Sequence, residues 1–177
     1  MKKKLMVSAT SLLAVCVMAL QCGCGSDGGS GAAKGGGYKT KEKAAMAIFD
    51  AQYKGATAEK LINLVPEEYI EYCADEYHLT KNQVKSKLSE IYTGQTSGRK
   101  VSGEKITDTH ELTDQYGRLN SFLEERGIDK SEEYYSVNVE FKVDSDDWDE
   151  EYLVFEVDGK WYSRLAMSWI DNGLEKS

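Results

Sequence analysis

Apolar residues recur at helical spacing through the first half of the chain and alternate through much of the second. Ala44, Ala47, Ile48 and Ala51 form a stripe that Met46 and Phe49 widen, and Gly55 stops it, so the spacing predicts an amphipathic helix. Thr57 is placed to cap a short helix carrying Leu61, Ile62, Leu64 and Val65. Pro66 suits the first turn of a third helix, with Glu67 and Glu68 at its positive end. That helix presents Tyr69, Ile70, Cys73, Ala74 and Tyr77 on one side, which makes Cys73 a core position rather than a reactive thiol. Thr80 and Gln83 form a capping box that opens a fourth helix with Val84, Leu88 and Ile91.

After Gly98 the period changes. Val101 to Leu112 reads as a strand, and Leu119, Phe122 and Leu123 mark a short helix closed by Gly127. Val137, Val139, Phe141 and Val143 alternate with polar residues, the pattern of a half-buried strand. Tyr152 to Val157 and Trp161 to Trp169 are read as two more strands, joined by the Asp158-Gly159 turn. Helices first and antiparallel strands afterwards predict an α+β fold.

The extreme N-terminus follows neither pattern. Lys2, Lys3 and Lys4 precede an apolar run from Leu5 to Leu20, short for a membrane span of ~20 residues and suited to an export signal. The run MALQCGCGSDGGSG that follows resembles a bacterial lipoprotein signal. Cys24 is the acylation site this resemblance implies, because Gly23 precedes it and a Gly/Ser tether follows. Cys22 is the alternative, with Gln21 before it, and secretion without a lipid or an uncleaved anchor is a third reading. The expected organisation is a signal over residues 1–23, a flexible tether over 24–38, one α+β domain over 39–172 and a tail over 173–177. Such a chain is exported and anchored by an acyl group such as palmitate on the outer face of the cytoplasmic membrane.

Composition narrows function without naming it. The formal net charge is −8, which becomes −11 once Lys2, Lys3 and Lys4 leave with the signal. An acidic domain of this kind is a poor nucleic-acid binder. The domain itself holds one cysteine, so its stability comes from packing and not from an internal disulfide.

The element order and the ending VDGKWYSRLAMSW resemble the nuclear-transport-factor-2-like superfamily, and most closely small Firmicutes-type lipoproteins that carry one such domain. The resemblance covers residues 39–170 and implies N-terminal helices packed on a curved, cone-shaped antiparallel sheet with a pocket at its wide end. Members with catalytic pockets include ketosteroid isomerases and scytalone dehydratase. No motif here fixes which carboxylates, Tyr or His residues point inward, so no catalytic residue is carried over.

Direct searches for chemistry give little. Asp108 and His110 alternate on a predicted strand and could form a base and its orienter, but a solvated strand face is the plainer reading. Six of the eight residues Asp144–Glu151 are acidic, yet they lack the Gly and Glu positions of a calcium loop and read as an exposed hairpin turn. His78 and His110 have no partners at zinc-ligand spacing. No metal and no cofactor are expected.

Aromatic residues on the strands remain. Trp161, Tyr162 and Trp169, with Trp148 in the acidic turn, are the candidate contacts for a ligand or partner; Trp161 and Trp169 share a face if the strand is regular. The expected function is a membrane-anchored, non-enzymatic module that binds a small apolar ligand or an envelope protein. The alternative is a pocket enzyme of the same cone fold: an isomerase, dehydratase or hydrolase.

Overall fold

The computed structural model describes residues 3–4, 36–92 and 100–176. Four helices come first: α1 (Lys41–Lys54), α2 (Ala58–Ile62), α3 (Glu67–Glu76) and α4 (Lys81–Ile91). They begin where the sequence supplies caps. The side chains of Thr40, Thr57 and Thr80 each accept a backbone N–H of the first turn, and Thr80 and Gln83 complete a capping box. Pro66, which has no N–H to leave unpaired, precedes α3.

The sheet follows: β2 (Val101–Glu111), β3 (Tyr134–Val143), β4 (Asp146–Val157) and β5 (Lys160–Ser163) are antiparallel, in the spatial order β2-β3-β4-β5. A two-residue strand, β1 (Lys3–Lys4), lies parallel to β4 beside Trp148 and Asp149. Between β2 and β3 the chain makes α5 (Tyr116–Glu124) after a 3-10 turn, and Gly127 at φ 67° lets it turn back. After β5 it ends in α6 (Arg164–Leu174). The fold is therefore α+β, helices against an open four-stranded antiparallel sheet.

Two stretches differ from the expectation. The acidic run does hold the exposed hairpin turn, but only Asp144 and Ser145 make it, both at positive φ; Asp146 already pairs with Val143, Asp146 and Asp147 stay exposed, and Glu150 is buried. Long β3 and β4 pair along their whole length, so the acidic residues belong to a strand. The segment after Ser163 is a helix, not the continuation of a strand. Ser163 accepts the Ala166 N–H as its cap, and Ala166, Met167, Ile170 and Leu174 bury one helical stripe.

The core lies between α1 and the sheet and extends under α3, α4 and α6. Val137, Val139, Phe141 and Val143 all point into it. Phe49 of α1 packs edge-on against Phe141 and Tyr152, with ring centroids 5.0 and 6.3 Å away. Cys73 is fully buried on the α3 stripe. Burial pushes its thiol up to about 12.

Candidate functional site

The four aromatic candidates separate in the fold. Trp161 and Tyr162 of β5 are core residues, 8% and 5% exposed. Trp161 packs edge-on against Tyr135, and its backbone exchanges hydrogen bonds with Tyr38. Trp169 sits half-buried on α6, where its carbonyl accepts the Tyr92 hydroxyl at 2.8 Å. Trp148 is half-buried on β4, opposite Phe141. The helix after Ser163 breaks the alternation that would have put Trp161 and Trp169 on one face. Cys24 and Cys22 lie outside the described residues. Asp108 and His110 are both exposed on β2, and the Asp108 carboxylate accepts the neighbouring Thr109 N–H.

A buried carboxylate facing tyrosines does exist, at a place the sequence did not mark. Glu150 of β4 is 6% exposed and points toward α1. Its Oε1 accepts the Tyr53 hydroxyl at 2.6 Å, its Oε2 accepts the Tyr152 hydroxyl at 2.6 Å, and the Gln52 amide donates at 2.9 Å. Burial and the adjacent carboxylate both push the Tyr152 hydroxyl upward, so it stays a donor. With its oxygens taken up by three side chains, Glu150 has little capacity left to abstract a proton from a substrate. It is a polar clamp joining α1 to β4. Its signal in the sequence was one acidic residue of the run falling on the inward face, in step with Tyr152 and Val154.

The concave surfaces lie elsewhere, around α5. A groove of about 640 Å³ runs between α3 and the end of α5, lined by Glu68, Glu71, Tyr72, Asp75, Glu125 and Arg126 among others. A smaller pocket of about 130 Å³ adjoins it, lined by Gln115, Arg118, Leu119, Phe122, Tyr134 and Arg164. Phe122 and Arg126 form the wall between the two. The Arg164 guanidinium stands 3.5 Å from the Phe122 ring centroid and that of Arg126 stands 3.7 Å from it. Two cations at those distances cannot share one face, so the ring is sandwiched between them.

The electrostatics of this side are unusual for an acidic chain. Its arginines are Arg99, Arg118, Arg126 and Arg164, and the last three gather here. Arg126 donates to the Phe122 carbonyl at 3.1 Å, lies 3.7 Å from Glu125, and leaves its Nε buried without a partner. Burial depresses the Arg164 guanidinium below its ordinary value, and the charge of Arg126 acts in the same direction. Asp171, whose field favours the Arg164 cation, is engaged instead by the Tyr69 hydroxyl at 2.5 Å; burial pushes its carboxyl upward.

Among the described residues no three His, Cys, Asp or Glu side chains converge as a metal-binding group. No helix among them is long and apolar enough to cross a membrane. No protein-family model, no curated protein and no solved structure matches the chain.

Proposed function

We propose that this chain is a non-enzymatic binding module held on the outer face of the cytoplasmic membrane by a lipid on Cys24, and that it binds through its helical side. One observation carries the reading. The best candidate for a catalytic base, Glu150, is sealed by three donors, whereas the pocket beside Phe122 is lined by Arg118 and Arg164, which form no ion pair among the described residues. The charged lining favours an envelope protein or a charged ligand over a small apolar one. The anchor rests on the lipoprotein-like run ending at Gly23-Cys24. Cleavage there would remove β1, which contributes only two pairings at the edge of β4.

The nuclear-transport-factor-2-like arrangement belongs to the same proposal. It is supported by the element order and by α1 lying across β3, β4 and β5. Helix α6, placed after Tyr162, is an addition to the expected meander.

In-cell photocrosslinking of the full chain tests the binding surface. A benzophenone side chain in place of Tyr72, in the groove, should give light-dependent adducts. The same group in place of Asp108, on the exposed outer strand, should give none. Adducts at position 108 without adducts at position 72 would sink the proposal, as would silence at both.

A further inference from the structure

The small pocket next to the groove has the chemistry of an anion site. Arg118 falls in the first turn of α5, which continues a 3-10 turn carrying Asp114, and Arg164 is the first residue of α6, whose first turn contains no acidic residue. Cations are unfavourable at that end of a helix, where unpaired N–H groups already present partial positive charge. Both arginines line the same pocket, and among the described residues neither forms an ion pair or a hydrogen bond to a carboxylate. In a chain with 30 acidic residues such pairs were easy to supply. Arg164 is half-buried, crowded by a third arginine and left without a counter-ion, which is costly for the fold alone, while Arg118 stands exposed beside it. An anion in the pocket would relieve that cost at the first turn of α6 and engage Arg118 as well.

We propose that the pocket between the first turns of α5 and α6 binds a phosphate-type oxyanion, held by Arg118 and Arg164 with Gln115 at its side. Guanidinium forks match the paired oxygens of a phosphoryl group, and a dianion has charge and acceptor oxygens enough for two of them. A carboxylate has one charge and two oxygens, which a single fork satisfies. The stacked Phe122 fixes the Arg164 plane at the mouth, so little side-chain freedom is lost on binding. This deepens the reading of the helical side as the working surface and rests on it. The phosphate could belong to a soluble monoester or to the phosphomonoester headgroup of phosphatidic acid under the anchored domain.

The test is calorimetric titration of the full chain, carried in phosphatidylcholine vesicles, with inorganic phosphate against chloride at matched ionic strength. Phosphate should bind and raise the melting temperature, and acetate should bind at least tenfold more weakly. Arg118→Ala and Arg164→Gln should each weaken phosphate binding at least tenfold, while Lys130→Ala leaves it unchanged. Arg118 is exposed, so its variant will fold. Without phosphate, Arg164→Gln should melt no lower than the parent, whereas a purely structural arginine would lower the midpoint. If a headgroup is the source, phosphatidic acid vesicles, whose headgroup is a phosphomonoester, will fill the pocket and abolish the response to added phosphate. An equal response in both vesicles assigns a soluble ester. No phosphate effect beyond chloride, or equal binding by the parent and both arginine variants, overturns the anion site alone; the helical-side reading fails separately, on the crosslinks at Tyr72.

Discussion

Glu150 shows how one residue can look catalytic and be structural. A carboxylate between two tyrosines resembles an acid–base site until its oxygens are accounted for, and each is then found to accept from a donor. Removing the acceptor takes the shared partner from three donors, two of them hydroxyls on buried or half-buried tyrosines, and leaves Tyr152 the Gln52 oxygen at 3.3 Å. Glu150→Ala should therefore cost about 2 kcal/mol in urea unfolding, since each buried hydrogen bond lost without replacement costs roughly 1–3 kcal/mol. Unchanged stability would mean that the clamp is not holding α1 to the sheet. Cys73 gives a second residue-level outcome. Its thiol is pushed up to about 12, so at pH 8 almost none of it is thiolate, and the thiolate is the reactive form. Iodoacetamide should leave Cys73 unmodified in the native protein, as mapped by peptide mass, and alkylate it once urea unfolds the chain. Rapid native labelling would contradict the burial. The helical stripe on α3 was enough to predict that burial from sequence.

At the scale of elements, sequence and structure agree at most boundaries that a local device sets. The threonine caps, the Pro66 entry, the Asp158-Gly159 turn and the alternation of β3 are all decided within a few residues. The error over α6 has a physical source. Trp161 and Tyr162 are strand residues, and a further tryptophan eight positions on invited the strand to continue. The cap at Ser163 and the stripe of Ala166, Met167, Ile170 and Leu174 were present and outweigh it. Ser163→Ala should cost about 1 kcal/mol, the usual worth of a helix cap, and a neutral result would deny the cap its role. The charge of the acidic run suggested a solvated turn, which holds at Asp144 and Ser145; pairing with all of β3 carries the rest into a strand and buries Glu150. Trp161→Ala should destabilise by about 3–5 kcal/mol as a core truncation, and Trp148→Ala, half-buried on β4, by about 1 kcal/mol or less. Equal losses in thermal melts would show that the two tryptophans are not divided between core and surface.

At the scale of the whole molecule, we propose an N-terminal export address joined to the α+β domain. That address rests on sequence alone: lysines, an apolar run and then small residues around Cys24. Intact mass of membrane-extracted protein should show a chain beginning at Cys24 with acyl groups, and Cys24→Ser should abolish the acyl mass. A mature chain starting elsewhere without lipid would contradict the anchor. The working surface was not legible, because it is assembled from Arg118 and Phe122 on α5, Arg164 on α6 and Tyr134 on β3. Residues so far apart in sequence meet only through packing, and no spacing rule announces an arginine that has been left without a counter-ion. The central claim is that this arginine-lined side, and not the sealed carboxylate beneath the sheet, is where the protein binds. Because the chain has only four arginines, the most direct measurement is the side-chain Nε–H nuclear magnetic resonance spectrum during phosphate titration. The Arg118 and Arg164 signals should move together and saturate, while Arg99 stays in place. Movement of all four in parallel, or of none, would contradict the account.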